Sequence, residues 1–200
     1  MTAEIECKIP VEDLEGIERG LAALGAASLG GYAREHNEVF DTPDGALAAA
    51  EILLRLRTCA GRPGGRVTVK RLLRGAVPGA FKAREEIETF VDDPEAARRQ
   101  FRALGFTAAR VYEKDRAEWD WRGARLALDR CPELGCFVEV EAGEDAIRAV
   151  LADLGIDPGR HIPDNYLTLW RRHLERAGEN AWRDMVFQSG RPAHPDGEKA

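Results

Sequence analysis

Glu4, Glu6 and Lys8 occupy alternate positions at the start of the chain, in Glu4-Ile5-Glu6-Cys7-Lys8. Alternate residues of a strand point to one face, so the three charges share a surface while Ile5, Cys7 and Ile9 share the other. Two carboxylates beside an ammonium group suit a divalent cation carrying a bound phosphate. One such triplet means little, because half-solvated strands are common. The pattern returns, however, in Arg55 and Arg57, in Thr68 and Lys70, in Arg84, Glu86 and Glu88, in Lys114, Arg116 and Glu118, and in Glu139 and Glu141. Guanidinium and ammonium groups in this number would grip a chain of closely spaced phosphates. The carboxylates, as hard oxygen donors, would hold Mg2+ or Mn2+ with part of its water shell.

The elements that must position these residues can be read from periodicity and turn chemistry. Strands are predicted at 3–9, 32–40, 53–58, 66–72, 81–91, 107–120, 124–130 and 136–142. Leu14, Ile17, Leu21 and Leu24 repeat at helical spacing and are closed by Gly25, which predicts a helix over 11–24. Asp92-Asp93-Pro94 opens a second helix that runs to about 104, and further helices are predicted at 144–154 and 164–176. A Gly- and Pro-containing loop is expected at 74–80. Eight strands with few helices between them favour an antiparallel sheet, and eight strands can close into a barrel. If the helices cover the apolar faces, the charged faces must line the interior. An unpaired charged interior costs several kcal/mol or more per ion, so compensating pairs or a bound polyanion are required.

Composition narrows the alternatives. With 44% apolar residues over 200 positions, one domain with a substantial core is expected. No apolar run approaches a membrane span, and the first residues lack a secretory pattern, so the expected location is the cytoplasm. A net charge of −6 argues against general nucleic-acid binding. Cys7, Cys59, Cys131 and Cys136 show neither metal-site spacing nor Cys-x-x-Cys pairing and read as reduced thiols. Trp119 and Trp121 share one strand face and read as wall packing against a helix, while Trp170 and Trp182 read as anchors of the last helical region. Pro, Gly and charge after Gln188 predict a disordered tail, giving a domain over 1–177 and an extension over 178–200.

Taken in order, these motifs resemble the CYTH superfamily of triphosphate tunnel metalloenzymes. The resemblance is carried by Glu4-Ile5-Glu6-Cys7-Lys8, Phe40-Asp41-Thr42, Leu54-Arg55-Leu56-Arg57, Thr68-Val69-Lys70, Arg84-Glu85-Glu86-Ile87-Glu88, Lys114-Asp115-Arg116, Leu128-Asp129 and Gly135-Cys136-Phe137-Val138-Glu139-Val140-Glu141, and it spans about residues 3–175. It implies an α+β fold, an eight-stranded antiparallel closed barrel with helices packed outside, and a divalent-metal enzyme acting on a triphosphate group. Glu4, Glu6, Glu139 and Glu141 are then the expected metal ligands, joined by Asp129, with Glu86 as the alternative. Lys8, Arg55, Arg57, Lys70, Lys114 and Arg116 are the expected phosphate contacts, with Arg84 as a further one, and Lys8 and Lys70 are the candidate catalytic cations. Dimers are common among such relatives, although no residue here establishes one.

Two positions depart from the family pattern. Val39 stands where triphosphatase members often carry Tyr, and Asn165-Tyr166 replaces a common Ser-Tyr pair, with Tyr166 read as a packing residue that makes one hydrogen bond. The family either hydrolyses a terminal phosphate of a triphosphate or cyclises ATP to cyclic AMP with release of pyrophosphate. The segment from His36 to Asp44 is more similar to the triphosphatase form, so hydrolysis is the expectation. The alternatives are cyclisation and a non-catalytic polyphosphate or nucleotide sensor.

Overall fold

The computed structural model describes residues 2–72 and 82–188, without the side chains of residues 2–4, 82 and 83. The expected 74–80 loop, the strand start at Phe81 and the tail after Gln188 lie outside the described residues. In chain order the elements are β1 (Thr2–Val11), α1 (Leu14–Leu24), β2 (Ala27–Ser28), β3 (Ala33–Asp41), α2 (Ala46–Ala49), β4 (Leu53–Cys59), β5 (Gly65–Leu72), β6 (Lys82–Val91), α3 (Pro94–Ala103), β7 (Thr107–Trp121), β8 (Ala124–Cys131), β9 (Gly135–Glu141), α4 (Glu144–Asp153) and α5 (Tyr166–Arg176). The predicted helices begin where side chains satisfy their first amides. Asp13 accepts from the Gly16 N–H at 2.7 Å, Asp93 from Ala96 at 2.9 Å and Asn165 from Thr168 at 2.9 Å. Gly25 ends α1 in the left-handed region, with φ 78°. The short α2 and the two-residue β2 carry no sequence signal strong enough to predict them. Among the described residues no helix is long and apolar enough to cross a membrane.

All strand pairs are antiparallel, in the order β2-β7-β3-β4-β5-β6-β1-β9-β8, with an additional pairing of β7 with β8. The long strand β7 explains how the sheet curls back. Thr107–Arg116 pairs with β3, whereas Asp115–Trp121 pairs with β8. Along the first half of β7 the β8 side is taken by the C-terminal segment, where Met185 makes a parallel bridge to Tyr112. The expectation of a closed eight-stranded barrel is therefore corrected. The wall is a nine-stranded curled sheet with a seam, because β7 has 15 residues and β8 only 8.

Helices cover the outer apolar face, which leaves the charged face turned inward. α1 and α4 pack Leu14, Leu21, Ile147, Val150 and Leu151 against Cys7, Ile9, Leu126, Leu128, Val138 and Val140. Trp119 and Trp121 pack against the same cluster, as expected, and the Trp121 Nε1–H donates to Asp153 at 3.0 Å. α3 covers β3 and β4 through Phe101, which meets Phe40 edge-on at a centroid distance of 4.9 Å. Full burial of apolar side chains of this size contributes roughly 1.5–3 kcal/mol each.

The third cluster differs in origin. Val39, Tyr112 and Phe137 share strand parity with Asn37, Lys114 and Glu139, so they belong to the inner face, and they pack with Tyr166, Trp170 and Met185. α5 and the C-terminal segment thus close one end of the curl with an apolar plug. Trp170 is fully buried there, and its Nε1–H donates to the Arg183 carbonyl at 2.7 Å.

Candidate active site

The inner face encloses a cavity of about 380 Å³ lined by nine Lys and Arg side chains against six Glu. That excess of positive charge favours an anionic guest. β4 supplies Arg55 and Arg57, β5 supplies Arg66 and Lys70, β6 supplies Arg84, and β7 supplies Lys114 and Arg116. Lys8 comes from β1 and Arg125 from β8. The structure therefore brings together all seven cations expected to contact phosphate. Of the carboxylates expected to hold metal, Glu6, Glu139 and Glu141 line the cavity, and Asp129 does not. The backbone of Glu4 stands opposite Arg84, and its side chain lies outside the described residues.

The floor of the cavity, next to α5, is a tight network of charge. Lys8 is only 4% exposed, with its Nζ 3.1 Å from Glu139 and 3.4 Å from Glu6, and it donates to the Asp164 carbonyl at 3.3 Å. Burial alone would lower the Lys8 pKa, but Glu139 and Glu6 raise it above the ordinary lysine value. Lys8 is therefore held in its cationic form. Asp129 is fully buried and accepts from Lys114 at 3.1 Å, from Arg116 at 2.7 and 2.6 Å, and from the Tyr166 hydroxyl at 2.7 Å. Those four hydrogen bonds engage both of its oxygens, three at Oδ2 and one at Oδ1, so it holds the floor cations in place. Glu139 pairs with both Lys8 and Arg116. Burial would raise its pKa, but Lys8, Lys114 and Arg116 hold it well below the usual carboxylate range.

Tyr166 makes its single side-chain hydrogen bond to Asp129, as expected of a packing residue, and also lines the cavity. Its ring lies 4.1 Å from the Lys8 Nζ and 5.0 Å from that of Lys114, in cation–π contact with both. Higher on the wall, Lys70 Nζ stands 3.1 Å from Glu86, Arg66 pairs with Glu88 at 3.0 Å, and Thr68 donates to Glu88 at 2.7 Å.

Glu35, Tyr112, Arg66 and Arg125 join the interior without having been singled out by sequence, and Glu118, part of the alternation, lines it too. Glu35 is 5% exposed and lies 3.2 Å from Arg57 and 3.7 Å from Lys114. Burial alone would raise its pKa, yet Lys114 and Arg57 lower it to about 2. Arg55 donates to the Tyr112 hydroxyl at 3.0 Å. Burial would raise the Tyr112 pKa, but Arg55, Lys114 and Arg57 hold it below the usual tyrosine value. A signal for Tyr112 and Arg66 is present in the sequence, since each stands two positions before a residue of the alternation. Glu35 is hidden because β3 is polar on both faces: Arg34 pairs with Asp115 at 2.7 Å and His36 with Glu113 at 3.1 Å on the outside.

Among the described residues no three His, Cys, Asp or Glu side chains group closely enough to hold a metal ion. One pair of candidate donors, Glu6 and Glu141, stands directly opposite in the β1–β9 register. Lys8 stands 3.4 Å from Glu6 and Arg125 faces Glu141 in the β8–β9 register, so a cation between the two carboxylates would add to counter-charge already beside them. Mg2+ is commonly held by one or two carboxylates plus substrate phosphates, so this donor pair fits a cation that arrives with a phosphate chain.

A family model for the CYTH domain matches residues 2–156. The chain belongs to the CYTH family. No curated protein matches it. Among solved structures, the PH1012 protein of Pyrococcus horikoshii is 28% identical, with a TM-score of 0.70 over 83% of this chain and 98% of that one. A candidate adenylate cyclase from Vibrio parahaemolyticus is 17% identical, with a TM-score of 0.70 over 84% of this chain and 97% of that one. A candidate adenylyl cyclase from Hippeastrum, described as having a dominant triphosphatase activity, is 20% identical, with a TM-score of 0.61 over 86% and 96%. The last two likenesses concern the fold alone. Tyr166, α5 and the C-terminal segment lie beyond the matched domain.

Proposed function

We propose that this CYTH protein is an enzyme that binds a small molecule bearing a triphosphate group and hydrolyses it with the help of Mg2+ or Mn2+. One observation carries the reading: cations from β1, β4, β5, β6, β7 and β8 converge on one cavity, at whose wall two carboxylates stand opposed. Arg55, Arg57, Lys70, Arg84, Lys114 and Arg116 would bind the phosphate oxygens, the arginines in bidentate fashion where geometry permits. Glu6 and Glu141 would hold the metal together with substrate oxygens, and Glu4 shares their strand face. When bound, the cation neutralises charge on the phosphate chain. Glu139 orients Lys8, and Lys8 stabilises the negative charge that grows on the leaving oxygens as the bridging P–O bond breaks. Water supplies the entering oxygen, and orthophosphate leaves as the second product.

The similarity of His36–Asp44 to the triphosphatase form supports hydrolysis over cyclisation. The test is to incubate the purified protein with Mg2+ or Mn2+ and, separately, tripolyphosphate, ATP and thiamine triphosphate. Release of orthophosphate is the expected result. Cyclic AMP with pyrophosphate would make the chain a cyclase, and tight binding without turnover would make it a sensor.

A further inference from the structure

We propose that Tyr112 is a substrate-contacting residue of this cavity, its hydroxyl donating a hydrogen bond to an oxygen of the bound triphosphate. The inference rests on the triphosphate reading above and adds a neutral donor to a cavity lined mainly by charged side chains. Tyr112 lines the cavity and is 5% exposed, and its ring sits in the apolar plug with Val39, Phe137 and Tyr166. Arg55 Nη1 donates to its oxygen at 3.0 Å. A guanidinium can only donate, so the tyrosine oxygen is the acceptor there and its own proton is directed elsewhere. No acceptor among the described residues takes that proton, while Arg55, Lys114 and Arg57 make the surroundings attractive to an anion. A nearly buried hydroxyl with an uncommitted proton beside three cations is suited to an oxyanion.

The backbone around Tyr112 is held on both edges, so the hydroxyl has little freedom to turn away. β3 pairs Asn37 with Tyr112 on one edge. On the other, the Val111 N–H donates to Asp184 at 2.9 Å, the Met185 N–H to the Val111 carbonyl at 3.2 Å, and the Glu113 N–H to the Met185 carbonyl at 2.7 Å. Preorganisation of this kind lets a donor act without an ordering cost.

The test is calorimetric titration with tripolyphosphate, without metal, on wild type, Y112F, R55Q and the double variant. Y112F keeps the ring in the apolar plug and removes only the hydroxyl. Binding about tenfold weaker than wild type is expected, in line with a hydrogen bond to a charged group. If Tyr112 acted only by orienting Arg55, the loss would vanish in the R55Q background. A loss of several-fold that persists there is the expected result, and its disappearance overturns the assignment. Wild type that binds while Y112F binds equally well would sink the Tyr112 contact alone. Wild type that binds no tripolyphosphate either without metal or with Mg2+ added would sink the triphosphate reading and the contact with it.

Discussion

Asp129 on β8 and the pair Glu6 and Glu141 on β1 and β9 share the inner face of one sheet, yet they are held in opposite ways. Asp129 is wholly buried beneath Tyr166 and surrounded by Lys114 and Arg116, whereas the Glu6 side chain keeps 21% of its surface exposed and faces another carboxylate across the ladder. The first arrangement satisfies both acceptor oxygens with the protein's own donors. The second sets two carboxylates side by side at an open wall, with Lys8 beside Glu6 and Arg125 opposite Glu141 in the β8–β9 register. Carboxylates of one alternation therefore differ in role, some setting the cations in place and others able to receive a ligand.

The contrast is most exposed at Asp129. D129N would leave Lys114 with only Glu35, and Arg116 with only Glu139, as counter-charge, and removal of one partner from a buried ion pair costs about 3–5 kcal/mol. A denaturant titration should show a loss of that size. A D129N protein of unchanged stability that instead required more metal would put Asp129 with the ligands.

Acid should act on the held set in the same direction. Glu35 has its pKa depressed to about 2 from the ordinary 4.5, with Lys114 and Arg57 as the cause. A depressed carboxylate contributes stability that is fully present above the unfolded pKa and is lost as pH falls through the folded one. The loss therefore falls between about pH 4.5 and pH 2, and for so buried a group it is on the order of 3 kcal/mol. E35Q should flatten that limb of a stability-against-pH curve. An identical acid limb in wild type and E35Q would show that Glu35 is not charged in its pairs.

E141Q should behave in the reverse manner. Glu141 is exposed, so its substitution should leave the melting midpoint nearly unchanged, while phosphate release falls about a hundredfold and half-saturation moves to higher Mg2+. A melting midpoint that fell, with the metal requirement unmoved, would mean that Glu141 belongs with Asp129.

Much of this division could not be read from the sequence. Period-2 alternation correctly placed Lys8, Arg55, Lys70, Lys114 and Glu139 on one surface, because the helices bury the opposite one and leave no other solution. Alternation tells which face a residue occupies and says nothing of who neutralises it. The resemblance placed Asp129 with Glu6, and its partners Lys114, Arg116 and Tyr166 could not be read beside it because they lie 15, 13 and 37 positions away along the chain. Glu35 was lost where β3 carries charge on both faces. The seam along β7 was equally hidden, because its cause is the mismatch of two strand lengths, and the segment that fills it resembles no strand.

That segment allows the smallest and most selective test of the contrast. Asp184 accepts the Val111 N–H, and Phe187 donates its N–H to Glu113 while its ring lies 3.8 Å from the Arg34 guanidinium. These contacts support the plugged end, where Tyr112 and Tyr166 sit, and none reaches Glu6 or Glu141. D184A removes the hydrogen bond from the Val111 N–H and a longer one from the Trp182 indole, and should cost about 1–2 kcal/mol of stability. If the two regions are independent, the midpoint for Mg2+ in the phosphate-release assay should stay where wild type has it while the denaturation midpoint falls. A shift of both together would show that the seam, the floor and the opposed carboxylates act as one unit.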